Sequence, residues 1–258
     1  MGSGPPTPYY ADDTTTLYHG DMRNVLPLLG QTFDCAVTDP PYEETPLRWD
    51  RWPDGWPDVV ADVTSSMWCL GSLRLFLRRG DQFTRLWRLS HDVVWSKHTG
   101  SSFTLDRFRR THELAVHWYR GRWNALYHAV PKIPYVGPDR GSSPRRASAG
   151  SHLGRVGLDS SWVEDGTRYM ASVIPAKTLR GVALHPTEKP AALLRPLIEY
   201  ACPPGGVVLD PFAGSGSTAV AARMGGWRAV LVEADERYCE VAARRLSQGV
   251  LSFGEGET

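Results

Sequence analysis

Short apolar runs alternate along this chain with stretches of helical spacing. "TTTLYHG" (14–20) is β-branched and brief, the mark of a strand. In "DMRNVLPLLG" the apolar residues Met22, Val25, Leu26 and Leu29 fall on one helical face, and Gly30 closes the run. "FDCAVTD" (33–39) reads as a second, buried strand. "GWPDVVADVTSSMW" (55–68) reads as a helix with Pro57 near its first turn. "LRLFL" (73–77) reads as a strand and "DQFTRLWRLS" (81–90) as a helix. "DVVWSKH" and "HELAVHWYRG" are strand-like. From 121 to 184 the periodicity fails, in a segment rich in Gly, Ser, Pro and Arg. Order returns with the helix in "HPTEKPAALLRPLIEYACPPGG". After it come strand "VVLD", glycine loop "PFAGSGS", helix "TAVAARMGG", strand "RAVLVE" and helix "ADERYCEVAARRLSQG".

Strands alternating with helices pair in parallel through right-handed crossovers. The pattern therefore predicts an α/β fold with a doubly wound, mostly parallel sheet, interrupted by one irregular insertion of about 60 residues. No internal repeat is visible. With 41% hydrophobic and 22% charged residues, the 258-residue composition is that of an ordinary globule. The apolar runs fall short of a membrane span. Residues 1–13 read as a flexible tail without a signal peptide. Cys35, Cys69, Cys202 and Cys239 show no C-x-x-C pair and no metal-ligand spacing, so they read as reduced core residues of a cytoplasmic protein.

Net charge is only +1, but its distribution is uneven. Between Arg120 and Arg180 ten Lys+Arg face four Asp+Glu, which concentrates positive charge on the irregular segment. Arginine outnumbers lysine 25 to 4. Phosphate contact and GC-rich coding both favour that bias, and composition does not separate them.

Two constellations carry chemistry. In "VVLDPFAGSGSTAV" a strand ends at Asp210, passes Phe212, turns through Gly214, Ser215 and Gly216, and enters a helix at Ser217 or Thr218. Such a helix start points free N–H groups at a ligand. Glu233 ends the next strand, where an acid binds ribose hydroxyls. The turn has G-x-G but lacks the third glycine of a dinucleotide fingerprint, which weakens a nicotinamide-dependent oxidoreductase reading. In "TDPPY" (38–42), Asp39 ends a buried strand, and Pro40 and Pro41 stiffen a loop whose carbonyls are free to accept. Tyr42 adds a flat face with a polar tip. That set suits a flat molecule bearing an –NH2 group, although a plain Pro-Pro turn has the same sequence.

Together these motifs resemble the amino-group DNA methyltransferases that use S-adenosyl-L-methionine. "DPPY" is similar to the family's catalytic quartet, "DPFAGSGST" to its cofactor loop, "HPTEKP" (185–190) to a third element and "FRRTHELAVHWYRG" (108–121) to the segment closing the catalytic half. The quartet precedes the cofactor loop, an order that resembles the β class, a circular permutation of the Rossmann-like methyltransferase sheet. The resemblance implies a catalytic half over 14–120, target recognition by the insertion 121–184 and a cofactor-binding half over 185–258. It implies Asp39, Pro40, Pro41 and Tyr42 as catalytic residues, with Asp39 and a proline carbonyl gripping the amine. It implies Thr187 and Lys189 for the methionine carboxylate, Glu233 for the ribose, and Phe212 as the loop's aromatic. Asp21 is equally the acid near the cofactor's adenine or a helix cap.

The substrate so implied is double-stranded DNA, methylated at N6 of a flipped adenine, with N4 of cytosine as the near alternative. A catalytically silent DNA-binding subunit is the remoter one. Trp49, Trp52 and Trp56 are candidates to line the base pocket; Arg109, Arg110 and the arginines of 140–155 are candidates for phosphate contact. Glu43 and Glu44 would repel phosphate and are expected to point elsewhere. A restriction endonuclease partner and a homodimer stay open.

Overall fold

The computed structural model describes residues 6–101, 106, 108–135, 165–178 and 188–248. In chain order the elements are β1 (Tyr10–Ala11), β2 (Thr15–His19), α1 (Met22–Leu29), β3 (Cys35–Thr38), α2 (Trp56–Val63) and β4 (Ser66–Gly71). Then follow α3 (Leu73–Thr84), β5 (Arg88–Ser101), β6 (Arg110–Tyr119), β7 (Lys132–Pro134), β8 (Thr167–Tyr169) and β9 (Val173–Ala176). The chain continues with α4 (Ala191–Ala201), β10 (Val207–Asp210), α5 (Ser217–Met224), β11 (Arg228–Glu233) and α6 (Glu236–Ser247).

Nine strands form one sheet in the order β1-β2-β11-β10-β3-β4-β6-β5-β9. From β2 to β4 every pairing is parallel, and β6 then runs antiparallel to both β4 and β5. This is the mostly parallel α/β sheet that the alternating pattern predicts. Every residue of β3 and β4 is buried, as expected of strands covered on both faces. The late strands β10 and β11 fill the two places between the early strands β2 and β3.

Local rules account for the helix ends. Asp21 caps α1 by accepting from the Arg23 amide, and Gly30 closes it at φ 61°, a left-handed turn that glycine adopts freely. Pro57 sits in the first turn of α2, where its missing N–H is harmless. The core behind α2 and α3 is aromatic. Trp56 and Phe83 are fully buried, and Phe83 stacks on Trp118 at 4.9 Å between ring centres.

Four expectations need correction. The helix expected over 55–68 stops at Val63, and Ser66–Gly71 is β4, the apolar run continuing into a strand. The strand expected at 73–77 is the first half of α3, because Ser72 caps a helix there through the Leu75 amide. The helix expected over 81–90 ends at Thr84, and Arg88 opens β5. Within the tail expected over 1–13, Tyr10–Ala11 pairs with β2. In the segment without periodicity, β7, β8 and β9 are too short, at three or four residues, to show alternation.

By contacts the chain divides into one unit of Met1–Ala129 with Ala171–Thr258 and a second of Val130–Met170. In the second unit β7 pairs antiparallel with β8, and Arg168 lies over the Tyr135 ring.

Candidate functional site

Parallel α/β sheets bind ligands beyond the carboxyl ends of their strands. A cavity of about 770 Å³ opens there in the larger unit. Its wall contains the whole quartet Asp39, Pro40, Pro41 and Tyr42 from the end of β3. It also contains Asp210, Phe212, Gly214, Ser215, Ser217 and Thr218 from the β10–α5 turn, with Glu233 from the end of β11. Asp21 and Lys189 line it as well. The distant motifs thus share one wall because β3 and β10 are hydrogen-bonded neighbours.

Gly216 is a described site candidate outside that wall. Its φ of 79° turns the chain into α5, and a side chain there would press on Ala242 at 3.3 Å. Its part is to shape the loop. Thr187, the neighbouring His185 and the arginines of 140–155 lie outside the described residues.

Around the quartet the polar groups form a chain. The Tyr42 hydroxyl donates to Asp39 Oδ1 at 2.5 Å, and Lys189 donates to Oδ2. Lys189 Nζ also lies 3.6 Å from Glu113 Oε2, while Lys97 donates to Glu113 Oε1. Burial pushes the Tyr42 phenol well above its ordinary value, and the Asp39 charge adds to this. Burial works to lower Lys189, but the Asp39 and Glu113 charges outweigh it and the ammonium rises. Burial works to raise Glu113, but Lys189 and Lys97 outweigh it and the carboxyl falls. Lys189, expected on the cofactor's carboxylate, thus stands against the quartet.

The loop after the quartet hangs on Asp50, which is 2% exposed. Its carboxylate accepts from the Glu43, Glu44 and Thr45 amides at 2.7–3.0 Å and from the Thr45 hydroxyl. This clamp holds Glu43 at φ 55°, a conformation rare for a residue with a side chain. Glu43 pairs with Arg79 outside the cavity wall, whereas Glu44, expected to point elsewhere, lines the wall with its partner Arg110 at 3.2 Å and also accepts from Ser72. Arg110 therefore meets a carboxylate, while Arg109 is exposed. Of the three tryptophans, Trp52 and Trp56 belong to the core and Trp49 to the cavity wall.

On the β10–α5 side, Glu233 accepts from the Gly214 amide at 2.7 Å and the Asp235 amide at 2.8 Å. Burial raises its carboxyl. Asp210 accepts from Thr218 and from the Phe212 amide, and burial pushes it up to about 7. Arg245 of α6 reaches Ser217 Oγ at 3.1 Å and pairs with Glu188 at 2.8 Å, tying the loop to the segment before α4. Asp21 is a helix cap and ion-paired to Arg23, and it borders the cavity as well.

Sequence reasoning missed Glu113, Lys97, Asp50 and Arg245. Glu113 had a signal, a lone acid in the otherwise apolar "ELAV" strand. Lys97 and Arg245 act through contacts distant along the chain, and Asp50 through the amides of a loop five to seven residues before it. Among the described residues, no three His, Cys, Asp or Glu side chains cluster as metal ligands, and no helix is long and apolar enough to cross a membrane.

Comparison with known proteins bears on the family and the fold. The N6_N4_Mtase family, described as DNA methylase, matches residues 33–244. The Type II methyltransferase M.ScaI of Streptomyces caespitosus is 27% identical over 93% of this chain and 83% of its own length. A protein of Escherichia coli K12 named "Putative methylase YubD" is 52% identical over 63 residues, 28% of its length, so the chain spans less than a third of that relative. Among solved structures, the M1.HpyAVI-SAM complex is similar with a TM-score of 0.61 and 20% identity, over 90% of this chain and 99% of that one. The PvuII DNA methyltransferase, titled cytosine-N4-specific, also has a TM-score of 0.61, at 14% identity over 94% of this chain and 90% of that one. These likenesses concern the fold.

Proposed function

The chain belongs to the N6/N4 DNA methylase family, and from that premise we propose that it transfers a methyl group from S-adenosyl-L-methionine to N6 of an adenine flipped out of double-stranded DNA. One observation carries the reading: Asp39 and the turn residues Gly214, Ser215 and Ser217, distant in sequence, line one cavity.

The donor set fits the cofactor. The turn into α5 offers backbone N–H groups, Glu233 stands at the strand end beside them, and Phe212 gives an apolar surface packed edge-on against Trp56 at 5.3 Å. Bound there, S-adenosyl-L-methionine supplies an electrophilic methyl carbon on its sulfonium.

The chain's own residues do the rest. The target amine is a poor nucleophile because its lone pair is delocalised into the ring. Asp39 and the Pro40 carbonyl accept its two hydrogens and favour a pyramidal nitrogen, freeing the pair for in-line attack. The methylated nitrogen then releases its surplus proton to the Asp39 carboxylate. Positioning and charge complementarity supply the catalysis. No covalent step is needed, and none of the four cysteines lies in the cavity wall, which leaves no thiolate for attack on a ring carbon. Flipping the base costs a few kcal/mol of stacking, and Tyr42 restores part of it. We assign target recognition to 121–184, where the excess positive charge lies.

N4-cytosine methylation is the second reading. The Asp39 set grips any amine beside a ring nitrogen, and the similar PvuII structure is titled cytosine-N4-specific. The Type II relative supports a restriction endonuclease partner. To test the function, DNA treated with the protein and S-adenosyl-L-methionine is digested to nucleosides and weighed by mass spectrometry. N6-methyladenine is expected. N4-methylcytosine alone overturns the choice of base, and neither product overturns the function.

A further inference from the structure

One buried carboxylate oxygen in the site lacks a hydrogen bond. Glu113 Oε2 accepts none, although Oε1 of the same group takes one from Lys97. A buried acceptor without a donor is unfavourable and calls for a physical account. Asp39 shows the opposite condition. Both of its oxygens already accept a hydrogen bond, Oδ1 from Tyr42 and Oδ2 from Lys189, so an incoming amine competes with a donor at either one.

Lys189 lies between the two carboxylates. Its side chain is 7% exposed and cannot retreat into water. It is hydrogen-bonded to Asp39 and stands 3.6 Å from Glu113 Oε2, an ion-pair distance just beyond a hydrogen bond. A shift of about 1 Å closes that gap. Lys97 stays on Oε1 and over the Trp95 ring at 4.6 Å, so the unbonded oxygen faces Lys189.

We propose that Glu113 is a positioning residue for methyl transfer: it receives the Lys189 ammonium when the target amine takes Asp39 Oδ2. Two carboxylates and two ammoniums are present before and after the move, so the buried cluster keeps its charge balance. The orphaned oxygen is then a vacant seat, filled only while the base is bound. This inference rests on the methyl-transfer reading above.

The test uses Glu113→Gln in the full chain, which keeps the shape and removes the charged seat. With saturating DNA and cofactor, its single-turnover methylation rate should fall at least tenfold. Its affinity for S-adenosylhomocysteine should stay within twofold of wild type, a split that a merely structural residue would not give. The double variant Lys97→Met/Glu113→Gln removes the Lys97–Glu113 pair together, so it serves if the single variant fails to fold; it should show the same rate loss. A rate within twofold of wild type in either folded variant overturns the seat while the methyl-transfer function stands. A wild-type chain that methylates no DNA overturns both.

Discussion

Asp39 and Lys189, 150 positions apart, meet in an ion pair at the wall of the cavity. The pair ties the end of β3 to the residue before the N-cap of α4, so the quartet's carboxylate is aimed by a side chain from the other half of the chain.

Removing that carboxylate separates catalysis from cofactor binding. Asp39→Ala should lower single-turnover methyl transfer by about 10²–10³-fold or more, the scale seen when one preorganised transition-state contact is lost. Calorimetry should find S-adenosylhomocysteine bound as in wild type. Retained turnover would refute the role given to Asp39.

The Asp50 clamp predicts a stability effect. Asp50→Ala leaves three backbone amides without their acceptor and releases the left-handed turn at Glu43. The expected loss is about 2 kcal/mol, read as a lower denaturant midpoint at unchanged slope. A wild-type midpoint would mean that the loop holds its shape by other contacts.

Asp210 predicts a pH dependence. Its carboxyl titrates near 3.8 ordinarily and is pushed up to about 7 by burial, so the folded chain holds the proton more tightly than the unfolded one. The group's stabilising share is full below about 4 and is lost as pH rises through 7. Between pH 5 and 8, wild type should lose about 2–3 kcal/mol more than Asp210→Asn in denaturant titrations. Equal losses would show that the carboxyl is ionised in the fold throughout.

Arg245 supports the glycine turn from behind, through Ser215 and Ser217. Arg245→Ala should weaken S-adenosylhomocysteine binding about tenfold, the cost of one charge-assisted hydrogen bond. DNA affinity measured without cofactor should not change. Unaltered cofactor affinity would remove Arg245 from the site.

The two motifs were legible because each is local, a strand, a turn and a helix start within a dozen residues; that they meet was implied by the resemblance alone. The errors fell where local signals compete. "LRLFL" alternates like a strand, yet the cap at Ser72 starts a helix, and "SSMW" extends an apolar run across the break at Thr64. Trp52 and Trp56, near the quartet in sequence, belong to the core, packed edge-on against each other and against Phe83. Lys97 and Arg245 matter only through partners on other elements, which no one-dimensional pattern records, while Glu113 left only the trace of a lone acid in an apolar strand.

The placement of β10 and β11 has a consequence for synthesis. β2 and β3 leave the ribosome some 170 residues before the strands that come to lie between them, a delay of about 10–30 s at ordinary translation speeds. During that interval β3 has a bare edge, open to pairing with other nascent chains. In a host that makes this protein in quantity, that edge is exposed on every unfinished chain, and factors that cover it would raise the yield of folded protein.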